Sequence, residues 1–210
     1  LESWNNLTNT GNIISENNNV ILQATNGVIN GVENGNTGNI TAQKEILLTS
    51  YKGNVVNYGS MTSTNSSVSL TAAGVYETAN NNNHDIVNNI TNTGSITAAQ
   101  KVLLRTVNGS IDNQNQITSQ NSTVTIKAEK HSTYTGNEAV GNIRNGVGAN
   151  YDTKADITAK QGITLQAAGN IFNIGDYLVT DSGDIYVDAG VEIANVGNYT
   201  VAQNGNIAVT

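Results

Sequence analysis

Pairs of aliphatic residues separated by one position recur along the whole chain and form its most regular pattern. Spacing of two places both members on one face of a β-strand, with the residue between them on the other face. The eight pairs are Val20/Leu22, Ile46/Leu48, Val68/Leu70, Val102/Leu104, Val124/Ile126, Ile163/Leu165, Ile185/Val187 and Ile207/Val209. Gly, Asn, Ser or Thr flank each pair, and no stretch has helical periodicity. The pattern therefore predicts an all-β chain.

Two further elements accompany the pairs. A single aliphatic residue precedes each pair by six or seven positions, at Ile13, Ile40, Met61, Ile96, Ile117, Ile157, Val179 and Val201. A Gly-x-Val/Ile-x-Asn segment follows some pairs, at Gly53–Asn57, Gly109–Asn113 and Gly169–Asn173. Three short strands separated by turns predict a triangular coil that advances by one strand spacing, about 4.8 Å.

The chain also contains a long internal repeat. Gly38–Ala72 aligns without a gap to Gly94–Ala128 at an offset of 56 residues, with 14 of 35 positions identical. A fixed period of this kind indicates a stacked solenoid. The steps between the single aliphatic residues give a bare coil of 21–22 residues and three longer coils. We therefore predict a single right-handed parallel β-helix with about eight short three-strand coils.

The longer coils predict three insertions at one corner of the solenoid. They span Asn26–Asn36, Ala73–Asn92 and Glu129–Asp156. Insertions at one corner of a solenoid project from one side, which is often the binding side. They can equally be tolerated loops, because the free energy cost of a loop grows slowly with its length. The sequence leaves both interpretations open.

The predicted insertions hold the residues best suited to recognition. Tyrosine and arginine are enriched at binding hot spots, and tyrosine also stacks on sugar rings. Each can instead pack its own loop, and the two histidines can be solvated or can approach one another across the rod. The candidate binding residues are Tyr76, His84, His131, Tyr134, Arg144 and Tyr151.

Composition adds a structural prediction and removes several function classes. Asparagine makes up 36 of 210 residues, and Asn57, Asn113 and Asn173 take equivalent positions, which predicts a stacked asparagine ladder. A net charge of −7 with few scattered Lys and Arg residues disfavours nucleic acid as a partner. Cysteine is absent, and no apolar run is long enough for membrane insertion. No cofactor or metal is predicted.

A cluster of four aspartates is the best candidate for catalytic carboxylates in the sequence. Asp176, Asp181, Asp184 and Asp188 cluster in a turn-rich region, where aspartate commonly forms turns. A glycan-cleaving β-helix enzyme needs paired carboxylates, or a carboxylate with a base, in a groove. We interpret these aspartates as turn residues and predict no catalytic residue.

The coil resembles the repeats of the filamentous haemagglutinin family, the large exoproteins of bacterial two-partner secretion. The similarity lies in Gly38–Ala42, Ile46–Leu48 and Gly53–Asn57, in the equivalent segments of the second repeat, and in Ile157–Ala159, Ile163–Leu165 and Gly169–Asn173. It covers nearly the whole chain outside the insertions. The family's secretion domain has Asn-Pro motifs, whereas this chain has no proline. The resemblance therefore points to a different part of such a protein.

The resemblance implies a secreted protein on the bacterial outer cell surface. Family members are exported by an outer-membrane secretion partner and act as adhesins or as sticks that deliver toxins. Because residues 1–210 begin and end within the repeat pattern, we expect one β-helix segment of a larger exoprotein. The first hypothesis is an adhesin segment whose insertions bind a receptor or glycan on a host or neighbouring cell. The alternatives are a passive stalk, as in a contact-dependent inhibition toxin carrier, and a glycan-cleaving enzyme.

Overall fold

The structure, a computed structural model, describes residues 1–33, 35, 37–73, 86–131, 134, 140–146 and 154–210. Every regular element in these ranges is a β-strand, and they contain no helix that could cross a membrane. The strands form three sheets, named A, B and C, whose neighbouring strands run parallel.

Each sheet takes every third strand of the chain. Sheet A contains β1 (Glu2–Ser3), β4 (Val20–Ala24), β7 (Ile46–Ser50), β10 (Val68–Ala73), β13 (Val102–Val107), β16 (Thr123–Glu129), β19 (Gly162–Ala167), β22 (Ile185–Ala189) and β25 (Ile207–Val209). Sheet B contains β2 (Asn6–Asn9), β5 (Gly27–Asn30), β8 (Val55–Asn57), β11 (Ile90–Asn92), β14 (Ile111–Asn113), β17 (Ile143–Asn145), β20 (Ile171–Asn173) and β23 (Ile193–Asn195). Sheet C contains β3 (Ile13–Ser15), β6 (Ile40–Ala42), β9 (Met61–Ser63), β12 (Ile96–Ala98), β15 (Ile117–Ser119), β18 (Ile157–Ala159), β21 (Tyr177–Val179) and β24 (Tyr199–Val201).

The chain contributes one strand to sheet A, one to sheet B and one to sheet C, in that order, eight times, and β25 then joins sheet A. Each set of three strands is one coil, so coil 1 is β1–β3, coil 2 is β4–β6, and so on to coil 8. The connections between sheets form three corners, named AB, BC and CA. The predicted parallel β-helix of about eight coils is confirmed.

The aliphatic pairs lie in sheet A, and their burial follows the predicted alternation. In β7, for example, Ile46 and Leu48 are fully buried while Leu47 between them is only partly buried. Sheets B and C add inward aliphatic residues at the same level, such as Val55 and Met61 in coil 3. Because burying one such side chain contributes about 1.5–3 kcal/mol, the thin aliphatic column supplies the main stabilisation of each coil.

The predicted extent of the insertions is wrong, because each range contains a strand of sheet B. Asn26–Asn36 contains β5, Ala73–Asn92 contains β11, and Glu129–Asp156 contains β17. These strands are only three or four residues long, and their Val/Ile-x-Asn signature is too short to separate from turn sequence. The long connections are instead residues 31–39, 74–89, 130–142 and 146–156.

The long connections also do not share one corner. Residues 74–89 and 130–142 connect sheet A to sheet B, whereas 31–39 and 146–156 connect sheet B to sheet C. The prediction of a single corner is therefore wrong. All four connections begin or end at a strand of sheet B, whereas the CA corner is short in every coil.

Two tyrosines fill core positions for which the sequence analysis proposed valines. Tyr177 pairs with Ile157 and Tyr199 pairs with Tyr177, so Val179 takes the small inward position that Ala159 holds in the coil before. The two ring centroids are 5.1 Å apart. Neither hydroxyl group has a hydrogen-bond partner, although both oxygen atoms are buried. The Asn145 amide lies near Tyr177, but its geometry falls short of a hydrogen bond.

Replacing Tyr177 by phenylalanine is expected to leave the free energy of unfolding unchanged or to raise it by up to about 1 kcal/mol, because the lost hydroxyl makes no bond. Burial, with a smaller contribution from Tyr199, raises the pKa of Tyr177 well above 10. Above about pH 10 the unfolded state therefore loses the phenol proton while the folded state keeps it, and stability falls as pH rises. In Y177F the contribution of this phenol to the loss of stability above about pH 10 should disappear.

Guanidinium unfolding at about pH 8 and pH 11 measures both effects. The control is Tyr186→Phe, which removes a hydroxyl from the outer face of sheet A, where Tyr186 is only partly buried. A loss of more than about 1 kcal/mol in Y177F at pH 8 would mean that the hydroxyl has a partner after all.

A continuous ladder of asparagine side chains follows sheet B where it meets the BC corner. In each link one amide Nδ2 donates to the Oδ1 of the next coil, with N–O distances of 2.6 to 2.8 Å. The members are Asn9, Asn30, Asn57, Asn92, Asn113, Asn145, Asn173 and Asn195. Several also donate to a carbonyl at the corner, as Asn173 does to Gly175 at 2.6 Å. Asn57, Asn113 and Asn173, which the sequence singled out, all belong to this ladder.

Glycines allow the coils to approach closely at the corners. A Cβ atom built on Gly53 would fall on the carbonyl oxygen of Asn26 in the coil before, and one on Gly94 would fall on the carbonyl oxygen of Gly59. Any other residue would push two coils apart at these positions. The glycines therefore keep successive strands at hydrogen-bonding distance where the chain turns.

The outer faces of the three sheets differ in character. On sheet A, Leu47 and Leu103 are partly buried, and Arg105 forms a surface ion pair with Glu129 at 2.6 Å. On sheet C, one outward position carries threonine in five successive coils, at Thr41, Thr62, Thr97, Thr118 and Thr158. Sheet B, which the long connections border, carries Thr91, Asp112 and Arg144 side by side at its outward position.

Candidate binding groove on sheet B

A polar groove lies on the outer face of sheet B across coils 4, 5 and 6. Its volume is about 370 Å³. Each of the three coils contributes side chains from its strand and from the AB corner. The lining residues are Val87, Asn89, Ile90, Thr91, Ser110, Ile111, Asp112, Asn142 and Arg144.

The strand register places opposite charges next to each other in this groove. Asp112 on β14 pairs with Arg144 on β17, and with Thr91 on β11 on its other side. All three occupy the middle position of a three-residue strand whose first and third side chains are buried. Alternation along the strand therefore forces them outward, and stacking of coils brings them into one column.

Asp112 carries the most unusual electrostatics of the groove. Its Oδ2 accepts a hydrogen bond from Gln114 Nε2 at 3.1 Å, whereas its buried Oδ1 has no hydrogen-bond partner. Burial raises the pKa of Asp112 above its ordinary value, and the Gln114 bond and the Arg144 charge offset only part of that rise. Buried polar atoms in folded proteins are normally hydrogen-bonded, and this Oδ1 is the one unsatisfied buried side-chain oxygen among the described residues of the groove.

The edge of the groove at the AB corner is held rigid by side chains that accept backbone hydrogen bonds from the next coil. Asn89 Oδ1 accepts from the Ser110 amide at 2.8 Å, Ser110 Oγ accepts from the Asn142 amide at 3.3 Å, and Asn142 Oδ1 accepts from the Asn170 amide at 2.8 Å. These three hydrogen bonds fix the positions and orientations of the polar side chains along this edge of the groove. The groove is thus preorganised before any ligand arrives.

This arrangement suits a ligand with several hydroxyl groups. The groove combines a carboxylate acceptor, a guanidinium donor, amides and hydroxyls with the apolar side chain of Val87. Polar groups of mixed character on a rigid wall are what a glycan needs for orientation. Among the described lining residues, Asp112 is the one carboxylate, whereas hydrolysis of a glycoside uses a pair.

The predicted binding residues are distributed unevenly around this groove. Arg144 lies in it, on β17 rather than in an insertion, so its predicted placement is wrong. Tyr76, His84 and Tyr151 lie outside the described residues.

His131 and Tyr134 both lie in the AB connection of coil 6. The Tyr134 amide donates to the His131 carbonyl at 3.0 Å, and the Lys130 ammonium lies 5.5 Å from the centre of the Tyr134 ring. The His131 amide donates to Asn108 Oδ1 at 2.6 Å. Because Tyr134 is only 7% exposed, it packs its own loop in the way that the sequence left open.

The sequence analysis missed Asp112, Asn89, Ser110 and Asn142. Asp112 belongs to a bare coil, outside the insertions in which the sequence predicts the binding residues. One signal was available, since Asp112 and Arg144 hold the same middle position between Ile and Asn in successive coils. Recognising Ile143–Asn145 as a strand would have placed the two charges side by side.

The acidic group of the last coils has a structural role. Asp176 Oδ1 accepts from the Asn198 amide at 2.8 Å, and Asp184 Oδ1 accepts from the Asn206 amide at 2.8 Å. Asp176 and Asp184 thus each link a corner of one coil to the backbone of the next coil. Within the described ranges no three His, Asp or Glu residues come together in a way that could hold a metal ion.

No protein-family model, no curated protein and no solved structure matches the chain. The groove, the connections that border it and the chemistry of their side chains are therefore the features that indicate a function.

Proposed function

We propose that the chain is a segment of a bacterial adhesin, secreted or displayed on the outer cell surface, that binds a receptor or glycan through sheet B. The observation that carries this proposal is that all four long connections border sheet B, where the polar groove of coils 4 to 6 lies. Extra chain gathered around one face is typical of the binding side of a solenoid. The resemblance to filamentous haemagglutinin repeats adds export through an outer-membrane partner and membership of a larger exoprotein.

We propose binding without cleavage. Asp112 has a raised pKa, as catalytic acids do, but the described groove offers it no second carboxylate. Its neighbours are Arg144 and Gln114, which favour a fixed hydrogen-bonding role over proton transfer. Incubation of the chain with a bound glycan should therefore release no new reducing ends.

A passive stalk is the second candidate, and sheet C favours it. The five threonines in register form a regular face, and the CA corner is short in every coil. Such a surface suits a rod that spaces or displays another part of a protein. The two candidates differ in whether the groove of sheet B has a ligand.

A glycan array and cell binding, measured with charge-removing groove variants, distinguish the two. Asp112→Asn removes the charge while keeping the shape of the side chain, and Arg144→Gln replaces the guanidinium group by a shorter neutral amide. Lys127→Gln on the outer face of sheet A is the matched control for loss of a positive charge. If the groove binds, each groove variant should weaken binding by about tenfold or more, since a charge-assisted hydrogen bond contributes about 1.5–3 kcal/mol, and Lys127→Gln should not.

The same experiment can reject the adhesin proposal. If the unaltered chain binds neither cells nor glycans while circular dichroism shows it folded, the stalk is favoured. If it binds and Lys127→Gln is as harmful as Arg144→Gln, the interaction is a diffuse effect of charge. Release of reducing ends from a glycan would instead favour the enzyme.

A further inference from the structure

A second concave site lies at the AB corner of the first three coils, and it shares no lining residue with the sheet B groove of coils 4 to 6. It is a notch of about 240 Å³. The side chains that define it are Trp4 from coil 1, Thr25 from coil 2 and Tyr51 from coil 3, with Glu2 and Gln23 at the edge of sheet A. Trp4 is 93% exposed and is the one tryptophan of the chain.

The stacking of the coils sets the distance between Trp4 and Tyr51 along the rod. The Thr25 amide donates to the Ser3 carbonyl at 3.0 Å, and the Tyr51 amide donates to the Ala24 carbonyl at 3.1 Å, so the three corners stack in order. Two coil steps separate Trp4 from Tyr51, which is about 9.6 Å along the rod. The short side chain of Thr25 leaves the space between them open. A group seated at the level of Thr25 would therefore lie one strand spacing, about 4.8 Å along the rod, from the backbone of each aromatic residue.

Among the described residues that line the notch, one side chain is charged, and it is negative. Glu2 lies next to Gln23 by strand register, so a carboxylate and an amide stand side by side at its edge. The chain as a whole carries a net charge of −7, which attracts cations and repels anions. An anionic ligand is therefore disfavoured at this site.

We propose that this notch binds a quaternary ammonium group, such as the trimethylammonium head of choline and its esters. A cation within about 6 Å of an aromatic ring centre is attracted by the negative face of the ring, and tryptophan is the strongest such partner. Two aromatic side chains on either side of a cation, with a carboxylate nearby, form the known type of cage for such ligands. The proposal does not depend on the groove of sheet B or on the adhesin hypothesis.

The fluorescence of Trp4 tests the proposal directly, because no other tryptophan contributes. Choline chloride is titrated at constant ionic strength against sodium chloride. Two neutral probes accompany it: 3,3-dimethylbutanol, which has choline's shape without the charge, and methyl glucoside, which represents a sugar. We expect a saturable change with choline and an affinity at least about tenfold weaker for dimethylbutanol.

Variants locate the site while keeping the reporter. Tyr51→Leu and Glu2→Gln should each weaken choline binding by about fivefold or more, whereas Tyr186→Leu at the far end of sheet A should not change it. Thr25→Leu, which fills the gap between the rings, should abolish binding without altering the fold seen by circular dichroism. Equal affinity for dimethylbutanol, preference for methyl glucoside, or no saturable change would each overturn the proposal.

Discussion

Replacing Asn113 by alanine is expected to lower the free energy of unfolding by about 3 to 5 kcal/mol. Asn113 is fully buried at the centre of the amide ladder. Its Oδ1 accepts from Asn92 at 2.7 Å, and its Nδ2 donates to Asn145 at 2.7 Å and to the Asn115 carbonyl at 2.8 Å. The substitution leaves all three partners without this bond, and each buried unpaired group costs about 1–3 kcal/mol.

Guanidinium unfolding of the intact chain measures this loss. The control is Asn195→Ala, at the exposed end of the same ladder, where the bond to Asn173 is only partly buried and the bond to the Gly197 carbonyl is exposed to water. Asn195→Ala should cost less than about 1 kcal/mol. Equal effects at the two positions would show that burial does not set the strength of the ladder. A cost below about 1 kcal/mol at Asn113 would show that water replaces the lost amide there.

Replacing Gly53 by alanine is expected to destabilise the rod by about 3 kcal/mol or more, which is the upper range for overpacking. The added Cβ would coincide with the carbonyl oxygen of Asn26, an atom of the backbone that cannot rotate away. Coils 2 and 3 would have to separate at the AB corner. The nearby hydrogen bond from the Lys52 amide to the Thr25 carbonyl, at 2.6 Å, would lengthen as they did.

Gly11→Ala is the matched control for this change. A Cβ on Gly11 meets nothing within 4 Å, and neither glycine has a positive φ angle, so both variants gain the same methyl group with a similar backbone preference. Thermal unfolding should show a large loss for G53A and a change within about 0.5 kcal/mol for G11A. Similar melting temperatures for the two would mean that the coils can move apart at little cost.

The sequence predicted the parts of the fold that depend on periodicity. The pairs such as Ile46/Leu48 locate sheet A because two adjacent inward positions give a strong alternating signal. The strands of sheet C were found where their inward residue is aliphatic. They were misplaced by two positions in the last two coils, where Tyr177 and Tyr199 take that position. A pattern of aliphatic residues does not identify inward positions that aromatic rings occupy.

Sheet B was the hardest part to predict, and the candidate site lies there. Its strands show one inward aliphatic residue and one asparagine, which a chain rich in asparagine also has in its turns. The sequence therefore predicts that Ile143–Asn145 and Arg144 lie in an insertion, whereas they form β17. The pairing of Arg144 with Asp112 depends on which coil follows which after a long connection. Residue spacing alone does not contain that information.

The asparagine ladder has a consequence for how such a chain changes in length over evolution. Every link runs from the Nδ2 of one coil to the Oδ1 of the next, so each coil offers an acceptor on one side and a donor on the other. A recombination event that adds or removes whole coils therefore rejoins the ladder without a mismatch. The 56-residue repeat, which spans two coils, is the kind of unit that such an exchange would copy. Unequal crossing-over can thus lengthen the rod or exchange its surface while leaving the core unchanged.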